Sequence, residues 1–234
     1  MEFTPAWLGG EMTETRTENL PLTDGRELRV TAAEPEGAAR GGLVLLHEAR
    51  GVTDTVRLLA GSLAAEGWLV VAPHLYPDAE SDDGQVPQLP VESVLADIDV
   101  ACVWLAERGI TPDRTGVIGF DLGGAAALIV ATRRAIGAAV SVSARGVITP
   151  LSDGLPSLVE VAHELSCPWL GLYGEQDEQV SAEEVDKLRD AAASADVATD
   201  VVRVAQANHR FDTDPKASAE AWQRTLNWFD SHLR

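Results

Sequence analysis

The sequence predicts a mainly parallel α/β sheet with helices on both faces, built as a single domain. Three observations lead there. The chain has 234 residues, a length that suits one α/β domain, and 45% of them are apolar, enough for a substantial core. The apolar residues gather into short unbroken runs instead of alternating with polar ones, as strands buried on both faces require. Between those runs lie longer segments with apolar residues three and four apart, the period of a helix with one buried face.

Taken in order, residues 1–16 are polar and irregular, with Trp7 and Leu8 as their sizeable apolar anchors, and read as an N-terminal extension to a domain spanning 17–234. "ELRVTAA" (27–33) and "GGLVLLHE" (41–48) read as strands. "TDTVRLLAGSLAAEG" (53–67) has helical spacing and stops at Gly67. "WLVVAPHLY" (68–76) is a buried strand running into a polar, Pro- and Gly-bearing loop, "DAESDDGQVPQLP" (78–90). "VESVLADIDVACVWLAERG" (91–109) is a long amphipathic helix. A strand at 114–120 leads into a helix at 122–135, followed by strands at 137–144 and 167–177. "AEEVDKLRDAAASA" (182–195) is a helix whose acidic first turn suits the helix dipole. A strand at 197–205 and a closing helix at 215–233 complete the alternation.

Charge narrows the function. Asp and Glu number 37 against 18 Lys and Arg, for a net charge of −19. Such a surface repels phosphate backbones and anionic lipids, so neither nucleic acid nor a membrane surface is an expected partner. A small-molecule substrate is, on a monomer or homodimer. The two cysteines, Cys102 and Cys167, have neither metal-ligand nor redox spacing and read as small buried residues. The first residues lack a basic region followed by an apolar core, and no run is long enough to span a bilayer, so a cytoplasmic location is expected.

In mainly parallel sheets, sites lie at the carboxyl ends of the strands. Four candidates fall there: His47-Glu48, Asp121, Asp177 and His209. "GVIGFDLGGAAAL" (116–128) has the form of a nucleophile elbow, with Gly119 and Gly123 flanking Asp121. Small flanking residues relieve the crowding of a sharp strand-to-helix turn. The elbow also aims the backbone N–H of Leu122 at the point where negative charge would develop. Asp121, Asp177 and His209 follow one another in the chain, each after a predicted strand, in the nucleophile–acid–histidine order of α/β-hydrolases.

With "LLHEARGV", "VVAPHLYPD", "YGEQDEQVS" and "ANHRFD" added to the elbow, the chain from about residue 25 to its end resembles the dienelactone hydrolase family, α/β-hydrolases without a large cap domain. The resemblance implies a small-molecule hydrolase. Asp177 and His209 match its acid and histidine, and Glu48 matches a glutamate that contacts the nucleophile. The backbone N–H of Ala49 resembles a second oxyanion-hole donor beside that of Leu122. No metal or organic cofactor is implied, and adjacent His47 and Glu48 lack the spacing of a metal site.

The chain departs from the family pattern in three ways. The nucleophile position, usually cysteine, holds Asp121, an arginine past the histidine that holds a substrate carboxylate gives way to "FDTD" (211–214), and the short loop after "LYPD" carries no arginine, so the family's other carboxylate-binding group is missing. Arg50, Arg145, Arg210 and Tyr76 stand in loops from which they could contact substrate instead. An aspartate can attack a saturated carbon, displacing halide or opening an epoxide to leave an alkyl ester on the enzyme, which histidine-activated water then cleaves. Attack on an ester or lactone carbonyl would form a high-energy anhydride. Three readings of Asp121 stand: an active nucleophile, a replacement of a cysteine or serine, or a turn and helix-cap residue. A pocket that binds without catalysis is the corresponding alternative function. If Glu48 crowds Asp121, one of the two carboxyls is expected to be held protonated.

Overall fold

A computed structural model describes residues 13–22, 25–75, 90–152 and 154–233. Apart from the first strand and the fourth helix, the strands and helices follow the order that the sequence predicts. The elements are β1 (Thr15–Pro21), β2 (Glu27–Ala33), β3 (Gly42–Leu46), α1 (Asp54–Ala65), β4 (Leu69–Pro73), α2 (Val91–Ala106), β5 (Thr115–Phe120) and α3 (Leu122–Arg133). There follow β6 (Ala138–Val142), α4 (Leu158–Val161), β7 (Trp169–Gly174), α5 (Ala182–Ala192), β8 (Thr199–Val204) and α6 (Pro215–His232). They build an eight-stranded sheet in the order β1-β2-β4-β3-β5-β6-β7-β8. From β4 through β8 the pairs are parallel, while β1–β2 and β2–β4 are antiparallel.

The continuous apolar strands serve two cores. Alternate side chains point to opposite faces, so Val44 and Leu46 of β3 join one cluster while Leu43 and Leu45 join the other. The first face is covered by α2 through α5, with Ile98, Leu105, Leu158 and Leu188 packed on it. The second is covered by α1 and α6, through Leu59, Leu63 and Phe229. Among the described residues no helix is long and apolar enough to cross a membrane.

Helix ends follow local chemistry. Ser181 and Glu184 form a reciprocal capping box on α5, with Glu184 N–H donating to Ser181 Oγ at 3.3 Å and Ser181 N–H to Glu184 Oε2 at 2.9 Å. Asp214 caps α6, accepting from the N–H groups of Lys216 and Ala217 at 2.9 and 2.8 Å.

Two elements have no sequence forecast. The first is β1, whose "TRTENLP" lies half-exposed or exposed along the sheet edge. Its place comes from pairing with β2, and its charges (Arg16 bonds Glu18 at 2.6 Å and Glu34 at 2.5 Å) suit an edge that must not recruit another strand. It begins at Thr15, so its first two residues fall within the span read as an extension. The second is α4, a single turn too short to show a period.

Candidate active site

The elbow is built by crowding. Asp121 follows β5 at φ 53° and ψ −114°, a left-handed backbone that a non-glycine residue adopts at a cost. A Cβ on Gly119 would fall on the carbonyl of Gly123, and a Cβ on Gly123 would fall on the carbonyls of Leu46 and His47. Glycine at both positions therefore lets α3 start directly against the end of β3. That contact places the turn after β3, with Glu48 and Ala49, beside the first residue of α3, Leu122. The N–H of Leu122 lies in the helix's first turn, where no intrahelical acceptor exists. Both Leu122 and Ala49 are buried.

His47 holds the turn after β3. Its Nε2 accepts from the N–H of Leu75 at 3.1 Å, so its Nδ1–H donates to the carbonyl of Glu48 at 2.6 Å. Burial pushes its pKa down to about 4, which keeps the ring neutral for that double role. Its function is to shape the loop.

Asp121 makes no side-chain cap to α3. Its carboxylate turns instead toward two cations. Arg145 grips both oxygens, Nε on Oδ1 and Nη2 on Oδ2, the second at 2.9 Å. His209 Nε2 lies 3.7 Å from Oδ1, too long for a hydrogen bond but within ion-pair range. On the far side of the ring, His209 Nδ1 meets both oxygens of Asp177 at 3.0 and 2.9 Å. The Asp177 side chain is fully buried and also accepts from the N–H groups of Gln179 and Val180 at 2.8 and 3.1 Å, so its orientation is set.

The histidine loop reaches this position because Gly174, at the end of β7, carries no Cβ to strike the carbonyls of Ala207 and Asn208. Asn208 and Asp212 then lock the loop reciprocally. Asn208 Nδ2 donates to Asp212 Oδ1 at 2.7 Å, and the Asp212 N–H donates back to Asn208 Oδ1 at 3.1 Å. The acidic run after His209 thus has structural work: Asp212 closes the loop and Asp214 caps α6.

Charge in the site is set by pairing. Burial opposes ionisation of Asp121, but His209 and Arg145 outweigh it and hold the carboxyl below its ordinary value. The expectation of a raised carboxyl from crowding by Glu48 is thereby corrected for Asp121, because cations flank it. Burial also opposes protonation of His209, yet Asp121 and Asp177 on either side raise it to about 9. At neutral pH Asp121 is therefore ionised and His209 protonated.

A cavity of about 400 Å³ opens over this line, with His209, Asp121, Glu48 and Arg210 in its wall beside apolar Leu59 and Trp222. Glu48 meets Arg210 at 3.6 Å, and no hydrogen bond joins it to Asp121. Arg50 lines the rim and is exposed. Arg145 reaches Asp121 from the loop after β6. Tyr76 lies outside the described residues. Sequence reasoning did not single out Ser143, a buried wall residue between β6 and Arg145; its place at a strand's carboxyl end was the available signal.

The chain matches the description "Dienelactone hydrolase family" over residues 28–233. A Salmonella typhimurium protein provisionally named a carboxymethylenebutenolidase is 31% identical over 227 residues, covering 88% of this chain and 84% of its own. The carboxymethylenebutenolidase of Rhodococcus opacus is 28% identical over 212 residues, covering 82% of this chain and 81% of its own. A crystal structure from Klebsiella pneumoniae, provisionally named a dienelactone hydrolase, superimposes with a TM-score of 0.80 at 25% identity, covering 95% of this chain and 100% of that one.

Proposed function

This chain belongs to the dienelactone hydrolase family and is a hydrolase, and from that footing we propose that it cleaves a small organic substrate by displacement at carbon, with Asp121 as the nucleophile. The observation that carries the proposal is the alignment of Asp121, on its left-handed elbow, with His209 and buried Asp177. Asp121 is ionised, as a nucleophile at saturated carbon must be. In the first step an Asp121 oxygen bonds to carbon as the carbon–halogen or carbon–oxygen bond breaks, leaving an alkyl ester on the enzyme. That step removes the charge of Asp121, one of the two anions that raise His209. Once the ring has lost its proton, to solvent or to a departing oxygen, it is therefore a competent base. In the second step neutral His209 takes a proton from water, which attacks the ester carbonyl of Asp121 and releases the alcohol, while Asp177 orients the ring. The N–H groups of Leu122 and Ala49 would receive the oxyanion of that step.

Ester and lactone carbonyls suit this nucleophile poorly, because attack yields an anhydride. Nor do Phe211 through Asp214 offer the arginine by which the family pattern holds a substrate carboxylate. Both points argue against the relatives' named lactone as the substrate here.

One observation favours a second reading. The two-point grip of Arg145 engages both oxygens of Asp121, as a pocket that binds without turnover would allow. Mass spectrometry separates the two. Incubation of a His209→Gln variant with bromoacetate, whose halide leaves without needing a proton, should accumulate a covalent adduct on Asp121, and Asp121→Asn should abolish it. No adduct rejects the nucleophile. Gain of ester or lactone hydrolysis by Asp121→Cys would instead mark Asp121 as a replaced cysteine.

A further inference from the structure

Ser143 is a buried polar side chain in the cavity wall that the mechanism above leaves unused. It follows β6 directly, is 2% exposed, and its Oγ has no hydrogen-bond partner among the described residues. Its backbone stands at φ 48°, a left-handed conformation that serine rarely adopts. Its own N–H donates to the carbonyl of Leu172 at 2.8 Å, which fixes that conformation. A buried hydroxyl without a partner is costly, and so is the backbone that presents it. Two such costs on one residue at a cavity wall point to a ligand that repays them.

A second atom of the same cavity shares the condition. His209 Nε2 is buried and also lacks a hydrogen-bond partner among the described residues. Both groups line the one cavity over Asp121. Strands β3 and β6 flank β5 on opposite sides, so the turn bearing Ala49 lies to one side of Asp121 and Ser143 to the other. The Asp121 N–H donates to the carbonyl of Val142 at 3.0 Å, which sets the Ser143 backbone against the elbow. His209 also comes from the β6 side, from the loop after β8.

We propose that Ser143 and His209 form an oxygen-binding pair beside Asp121, so that the preferred substrate departs through an ether-type oxygen, as in an epoxide, and not through halide. The substrate class rests on the nucleophile reading above; the oxygen-binding pair does not. An opened epoxide releases a strongly basic alkoxide that needs a proton, whereas halide leaves without one. In the balanced step the Asp121 oxygen bonds to carbon, the carbon–oxygen bond breaks, and the electron pair stays on the departing oxygen. That oxygen takes the proton of His209 Nε2 while the Ser143 hydroxyl donates a hydrogen bond to it. His209 is left neutral, which is the form required to draw the proton from water in the second step. Release of the diol then restores carboxylate and imidazolium. Ser143 touches the reacting oxygen and is a catalytic residue in this scheme.

The test is binding by calorimetry of phenylacetamide, whose carbonyl oxygen accepts hydrogen bonds, against ethylbenzene, which has the same ring and no acceptor. The chains are the unaltered protein, Ser143→Ala and Ser143→Gly; the glycine variant removes the hydroxyl while relieving the backbone. Both variants should weaken amide binding about tenfold relative to ethylbenzene. Amide binding to the unaltered protein should shift the His209 Nε2 nitrogen resonance. Equal weakening of both ligands, an unchanged amide affinity, or no amide binding to the unaltered protein overturns the pair. Because binding needs no turnover, that result stands whether or not Asp121 is alkylated. If adducts do form, faster alkylation by styrene oxide than by 2-phenylethyl bromide supports the substrate class, and the reverse order overturns it.

Discussion

His209 carries the site's pH behaviour. Its pKa of about 9 in the folded chain exceeds the ordinary 6.5, so its ion pairs contribute their full stability below about pH 6.5 and lose it as pH rises through 9. The ceiling on that contribution is roughly 3 kcal/mol. Unfolding by urea at pH 6 and pH 10 should show the difference for the unaltered protein, and His209→Gln should flatten it. On the proposed mechanism epoxide opening uses the imidazolium proton and the Asp121 carboxylate together, so its rate should hold across neutral pH and fall above about 9. A rate that climbs through pH 9 would contradict the proton assignment. Arg145 is the counterweight to Asp121. Arg145→Ala should cost about 1–3 kcal/mol, since it leaves a buried carboxylate short of a partner, and should raise the alkylation rate several-fold by freeing both oxygens. A hundredfold fall would mean that Arg145 aims the nucleophile instead of restraining it. Much of this scale was readable in the chain: Asp121, Asp177 and His209 announce themselves by type, order and strand-end position. Arg145 did so only by residing in a loop. Its grip on Asp121, over 24 residues of sequence separation, depends on where β6 ends relative to β5.

The elements position these groups through close backbone approach. The elbow works because α3 begins against the end of β3 with no side chain between them. Gly123→Ala would drive a methyl group into the carbonyls of Leu46 and His47. A backbone clash of that kind has no flexible partner to yield, and the expected loss exceeds about 3 kcal/mol or prevents folding, as denaturant midpoints would report. The α5 capping box is a milder case: Ser181→Ala should cost about 1 kcal/mol and leave hydrolysis untouched, since α5 lies away from the cavity. Long helices and apolar strands were legible because each repeats its signal over many residues. The edge strand β1 and the single turn α4 were not. The first is held by pairing with β2 and the second by packing, and neither force leaves a period in a few residues.

Across the whole molecule, a net charge of −19 sets how charged substrates arrive. Bromoacetate is repelled at long range while styrene oxide is indifferent, so raising the ionic strength from about 10 mM to 0.5 M should speed alkylation by bromoacetate and leave that by styrene oxide unchanged. A salt-independent bromoacetate rate would show that Arg50 and Arg210 at the cavity offset the global field. The sheet decides what meets at that cavity, because parallel strands bring the loops after β3, β5, β6, β7 and β8 to one edge.

By itself the sequence determined the class of fold, the strand-and-helix alternation and the chain order of Asp121, Asp177 and His209 at strand ends, because apolar periodicity, turn glycines and residue type act locally along the chain. The tertiary structure alone decided the charge state and company of the site: Glu48 beside Arg210, Asp121 between Arg145 and His209, and the unsatisfied hydroxyl of Ser143 in the cavity wall. Those are interactions over a few ångströms between residues far apart in sequence, and their distances exist only once the strands have been laid side by side.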